Sequence, residues 1–258
     1  MKRTRLVLTV AAAFCATVPG PLGAEQRSLG AAQVRAELRA AASARRPPNF
    51  AHDRIFDQRL DGLDFRRADF RGADLLETSF RGAKLAGADF TRANMSAVKL
   101  ANADARGANL AGATLLTTAE NVDLRGANLT NASGYLIAPG GNLRGANLRG
   151  ARLSPEMSNQ PMGLLHTVLT QARLDGANLA HANLSFANLA NASLRGADLR
   201  GTNFDEADLS RVDFSGADVT GADFTKADVT GARFVHVRGR SAMRGLATAL
   251  GVEQATFR

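Results

Sequence analysis

The side chains best suited to chemistry are few and scattered. The four histidines, His52, His166, His181 and His236, show no His-Glu-x-x-His spacing, and no Cys-x-x-Cys occurs. Cys15 is the one cysteine. Met157, Met162 and His166 share one stretch, where thioether and imidazole could hold a soft metal ion; packing also accounts for the methionines. Asp64, Asp69, Asp74 and Asp89 recur in series rather than as a pair flanking a substrate. No glycine-rich loop opens a helix to cradle phosphate, and no Gly-x-Ser-x-Gly elbow appears. The residues therefore predict no catalysis, no cofactor and no resident metal.

Arginine is the exception in number. Arg66, Arg71, Arg81, Arg106, Arg125, Arg144, Arg149, Arg195 and Arg200 each follow an apolar residue at a fixed place. Projecting outward, they are expected near the aspartates of neighbouring coils as surface ion pairs worth little each. Alternatively they form a basic stripe for an anionic surface. No aromatic stripe suited to stacking on bases accompanies them, so no nucleic acid is expected.

The elements that must position these groups follow from a period of five. In Ala172–Leu184 a small residue, Asp or Asn, Leu or Phe and two variable residues recur. Five is neither the helix nor the strand period, and a short fixed repeat signals a solenoid. The predicted core centres include Phe70, Leu75, Phe90, Leu110, Leu129, Leu148, Leu174, Leu179, Leu184, Leu199, Phe204, Phe214, Phe224 and Phe234. Ala two residues earlier leaves room for little more than a methyl. The residue after each centre varies and faces water. The next is often Gly, as the third position of a type II turn demands. Asp or Asn before each centre can tie the adjoining backbone.

The run of Ala-Asp/Asn-Leu/Phe-Xaa-Xaa units resembles the pentapeptide-repeat family. That resemblance implies an all-β solenoid, a right-handed quadrilateral β-helix with four units per coil. About thirty units then give roughly seven coils and a rod roughly 35 Å long. Phe204 and Phe224 should stack on one side, Phe214 and Phe234 on the opposite one, with Val219 and Val229 between. Some family members resemble duplex DNA and bind a topoisomerase, a role needing an acidic cytoplasmic rod; this chain carries a net charge of +8.

The flanks complete the organisation. Residues 1–24 read as a signal peptide: Lys2, Arg3 and Arg5, then apolar Leu6–Val18, too short to span a bilayer, then Leu22-Gly23-Ala24. The expected location is periplasmic or secreted, with no membrane anchor after cleavage. Residues 25–50 are a leader or linker in which Ser28 could cap a helix to about Ala44, placing Val34, Leu38 and Ala41 or Ala42 on one stripe before Pro47-Pro48. Residues 51–234 form the array. Interruptions fall near 116–123, at 131–142, read as a protruding turn around Tyr135, and at 154–168, whose Met157, Met162, Leu164, Leu165 and His166 pack on the rod or meet a partner. Residues 235–258 read as a cap helix with Met243, Leu246, Ala247 and Leu250 on one face. A second copy could dock on that stripe. The favoured reading is a non-catalytic scaffold for an unidentified protein partner.

Overall fold

The computed structural model describes residues 26–154 and 165–258. The signal segment, Met157, Met162 and Leu164 lie outside them.

Each five-residue unit is one turn and one short ladder. The Ala68 N–H donates to the Phe65 carbonyl at 3.0 Å, with Arg67 between them at φ 58°. Phe70 to Ala73 repeats this turn with Gly72 at φ 62°. The left-handed third position explains the glycines. Asp69 Oδ1 accepts from the Arg71 N–H at 3.1 Å, and Asn128 Oδ1 from the Thr130 N–H at 3.1 Å, so the Asp or Asn side chain ties the corner as expected.

Four turns return the chain to a seat above its start. Asp69 pairs with Asp89, Asp74 with Asn94, Ser79 with Lys99 and Lys84 with Asp104, all in parallel. The coils have four sides, called the first to fourth faces after the centres Phe50, Ile55, Leu60 and Phe65. Successive coils begin at Phe50, Phe70, Phe90, Leu110, Leu129, Leu148, Leu179, Leu199 and Val219. These are nine coils before the closing one at the C-terminal end, not seven, and at the usual strand spacing they make a rod roughly 40 Å long. The difference arises because Phe50–Leu60 and the interruptions near 116–123 and at 131–142 lie within the stack.

The predicted centres are buried, Phe70, Leu179 and Phe224 completely. Alanines such as Ala68, Ala177 and Ala222 are buried beside them. Phe204 stacks on Phe224 at 5.5 Å between centroids, and Phe214 on Phe234 at 4.7 Å. Phe50, Phe70 and Phe90 form a second stack near the other end, with 5.0 and 4.9 Å separations. Where Thr replaces the small Ala, at Thr117 and Thr202, the buried hydroxyl donates to the carbonyls of Met95 and Leu179.

The interruptions share one place in the coil. Strands β1 (Asn94–Lys99), β2 (Thr114–Thr118) and β3 (Ser133–Ile137) form a parallel sheet where the second face meets the third. Thr114 pairs with Ser133 and Thr118 with Ile137. Between Leu115 and Ala119, and again between Gly134 and Ala138, a side has four residues, so one corner is lost and the chain runs straight. The segment 131–142 is therefore a coil side, not a protruding turn. The 154–168 break occupies the same junction one coil later: the Leu153 N–H donates to Asn183 O, and the ladder resumes where the Val168 N–H donates to Leu136 O at 3.0 Å.

The two ends are closed differently. Helix α1 (Ala31–Ser43) starts after Gly30 rather than Ser28, which instead bridges to Arg54. The Ala31 N–H donates to Gln58 Oε1 at 2.7 Å, so the first coil satisfies a free helix amide. Val34 and Ala41 are buried, and Leu38 packs against the core. At the other end there is no cap helix. Arg238, Arg244 and Leu250 bridge to Asp218, Asp223 and Asp228, and β4 (Arg233–Phe234) pairs with β5 (Thr256–Phe257). The segment is a final coil with six-residue sides, each turning through a 3-10 turn after Gly239, Gly245 or Gly251. Glycine is required there: a Cβ on Gly245 would sit 2.2 Å from the Thr225 nitrogen. Met243, Leu246, Val252 and Phe257 cover the core, and Phe257 extends the phenylalanine stack on Phe234 at 4.9 Å. The docking-helix reading loses its element.

Candidate interaction surface

The outward positions of the four faces carry different chemistry. Most arginines after a centre pair within their own side. Arg66 meets Asp64 and Arg71 meets Asp69 at 2.6 Å; Arg106 meets Asp104, Arg125 meets Asp123 and Arg200 meets Asp198 at 2.7 Å. These partners flank one centre. Pairing across coils occurs, as for Arg144 with Asp175 at 3.5 Å and Arg195 with Asp213 at 3.9 Å, but is longer. The reason is local: the aspartate already accepts the arginine's backbone N–H, so the guanidinium starts beside it. Hydrogen bonds from Arg71, Arg125 and Arg200 hold the carboxyls of Asp69, Asp123 and Asp198 below the usual carboxylate range. A ladder so neutralised has little charge left for an external anion. Arg81 and Arg149 have no ion pair among the described residues.

The second face carries an apolar column instead. The residues after its centres are Phe56, Leu76, Ser96, Leu116 and Tyr135 in successive coils. Phe56 is 41% exposed, with the Arg54 guanidinium 5.9 Å from its ring centroid. Leu76, Leu116 and Tyr135 are half-buried. Leu116 and Tyr135 are register partners in the β2–β3 pair, and half-buried Ile137 follows in β3. Burial raises the Tyr135 phenol above its ordinary pKa. Leu165 and His166, half-buried, stand where the chain re-enters the ladder one coil after Tyr135.

The expected contact, Met157, Met162, Leu164, Leu165 and His166, lies apart from the column, because Phe56 and Leu76 occupy a position expected to vary freely and Leu116 and Tyr135 fall in stretches expected to interrupt the array. A signal was present at period twenty rather than five: Phe56 and Leu76 are one coil apart, and Leu116 and Tyr135 are one shortened coil apart.

Among the described residues, no group of three or more His, Cys, Asp or Glu lies close enough to hold a metal, and no helix is long and apolar enough to cross a membrane. His52 and His181 occupy corners at φ 59°, their imidazoles lying against Gly72 and Gly201 of the next coil.

Comparison with known proteins agrees with this geometry. The profile described as pentapeptide repeats (8 copies) matches residues 59–96 and 93–116, and the pentapeptide repeat region profile matches residues 161–242. No curated protein matches the chain. Among solved structures it is similar to HetL, a pentapeptide repeat protein involved in heterocyst differentiation regulation from the cyanobacterium Nostoc sp. strain PCC 7120. Identity is 27% and TM-score 0.47, covering 86% of this chain and 93% of that one. It is also similar to QnrB1, a plasmid-mediated fluoroquinolone resistance protein, at 18% identity and TM-score 0.39, covering 80% and 92%. A third is AT2G44920, a pentapeptide repeat protein from the Arabidopsis thaliana thylakoid lumen, at 23% identity and TM-score 0.27, covering 58% and 70%. With its five-residue turns and both profile matches spread along the array, this chain belongs to the pentapeptide-repeat family.

Proposed function

We propose that the protein is a non-catalytic scaffold whose right-handed four-sided rod holds a protein partner in the bacterial envelope. The observation that carries this reading is the apolar column of Phe56, Leu76, Leu116 and Tyr135 on one face of a rod whose arginines are largely self-paired. Exposed apolar side chains gathered on one face of an otherwise polar rod, here in two pairs separated by Ser96, mark a contact for another macromolecule. Export rests on the signal-like segment Met1–Ala24. Topoisomerase inhibition by DNA mimicry fits poorly with a net charge of +8.

The test is capture from an envelope extract by the full chain and by variants. Leu116→Arg with Tyr135→Arg is expected to abolish retention of the captured protein, while Arg125→Gln leaves it unchanged. Equal capture by the double variant would reject the column. Loss of capture on removing residues 155–164 alone would move the contact to that segment. N-terminal sequencing of the periplasmic protein should begin at Glu25; full-length chain in the cytosol would reject export.

A further inference from the structure

In the first coils of the third face the commonest charge pattern of the repeat is missing. The position before a centre is most often Asp or Asn, which neutralises or ties the residue two places on. In the first three coils of the third face this position holds Arg59, Ser79 and Lys99, stacked by successive parallel bridges. Arg81 follows the centre Phe80 and has no carboxylate two residues back. Its N–H is held instead by Asp61 of the preceding coil, at 2.9 Å, and the same carboxylate oxygen accepts the Ser79 hydroxyl at 2.5 Å. Arg59, Arg81 and Lys99 form no ion pair among the described residues. These residues line one shallow concavity of about 260 Å³, together with Asp61 and Ser79. Three cations thus converge on a hollow whose single carboxylate is already engaged by two donors.

We propose that this hollow binds a phosphate group. Guanidinium and ammonium groups supply charge-assisted hydrogen bonds to a doubly charged oxyanion, and Arg81 offers a planar fork for two of its oxygens. Coil spacing puts Arg59 and Lys99 about 10 Å apart at the backbone, so their long side chains can close on one ligand from both sides. Arg66, Arg71, Arg106, Arg125 and Arg200 provide the internal contrast: they have the same kind of side chain, but each is occupied by its own aspartate.

The probe is inorganic phosphate, titrated into the full mature chain by calorimetry at constant ionic strength set with sodium chloride. Saturable binding is expected. Arg81→Gln and Lys99→Gln should each weaken it about tenfold or more, the loss expected for a charge-assisted bond, while Arg66→Gln leaves it unchanged. Circular dichroism verifies folding, and either hollow variant suffices if the other is unfolded. Parallel sedimentation with phosphatidylglycerol and phosphatidylcholine vesicles separates the sources. Phosphate-competed binding to the anionic vesicles alone assigns a lipid headgroup; phosphate binding without vesicle binding assigns a soluble phosphate. No saturable binding to either probe, or equal weakening by Arg66→Gln and Arg81→Gln, overturns the proposal.

Discussion

The coils from Leu179 to Phe234 and those from Leu110 to Leu143 are built from the same units and present different surfaces. In the former every side has five residues, so Leu, Phe or Val points in and Asp, Asn, Ser or Thr accompanies it outward. In the latter one side per coil has lost a residue. The corner disappears, β2 and β3 run straight, and the alternation of a strand takes over. Leu115 and Thr117 then face inward while Leu116 and Thr118 face out; in β3, Leu136 is buried and Tyr135 and Ile137 are not. One deleted residue converts a polar corner into an apolar outer surface while the hydrogen-bonded ladder continues. The outward places of Leu116 and Tyr135 thus follow from the arithmetic of side length, not from a loop.

The sharpest way to break the comparison is to attack each region's core. Phe224→Ala empties a site stacked on Phe204 and met edge-on by Phe214 and Phe234, and should cost about 3–5 kcal/mol in urea unfolding. Gly134→Ala attacks the straight region. Gly134 has φ 112° and a Cβ there would lie 2.4 Å from the Leu115 carbonyl oxygen, which is backbone and must shift. A loss of about 2–4 kcal/mol is expected. Gly72→Ala meets only the movable His52 ring at 2.7 Å, besides the left-handed strain, so about 1–2 kcal/mol should be lost. Leu116→Ser removes an outward side chain and should change stability by no more than about 0.5 kcal/mol, while abolishing capture of the partner. A larger loss would mean that Leu116 belongs to the core.

The smallest effect is electrostatic. The carboxyls of Asp69, Asp123 and Asp198 titrate lower in the folded chain than in the unfolded one. Their contribution is therefore complete above the ordinary carboxylate range and disappears as pH falls through the depressed folded values. Melting temperature should drop on acidification below about pH 4. The triple variant Arg71→Gln, Arg125→Gln, Arg200→Gln should show a shallower drop; an identical profile would show that the pairs do not couple to folding.

What was legible in the sequence was whatever repeats. Leu179, Phe204 and Phe224 declare themselves as core by spacing and size, Gly72 by the turn, and Asp69 by its reach to the next amide. The paired stacks of Phe204 on Phe224 and Phe214 on Phe234 follow from counting four units per coil. What was hidden depends on contacts between coils. A four-residue side looks like a frame error along the chain, because only its neighbour above reveals that Leu115 sits over Met95. The column through Phe56, Leu76 and Leu116 is spread over sixty residues and emerges only after stacking. Met243, Leu246 and Leu250 suit a helical stripe, so the final coil looks like a helix in the sequence; Gly239, Gly245 and Gly251, six apart and packed on Thr220, Thr225 and Thr230, carry the opposite message. Arginine partners are legible only in part: Arg144 and Arg195 meet aspartates of the next coil as expected, whereas Arg66, Arg71, Arg106, Arg125 and Arg200 meet the aspartate two residues back, whose bond to the backbone N–H aims the guanidinium.

The six-residue closing lap sets a limit on growth. An unfinished end of stacked strands is an invitation to fibrils, since any similar edge can continue the pattern. Here the uppermost lap is wider than those beneath it and its glycines are sunk onto the threonines below, so the landing offered to an incoming rod differs in pitch from the rod's own footprint. Polymerisation head to tail through the main chain is thereby discouraged at this end by the geometry of the lap.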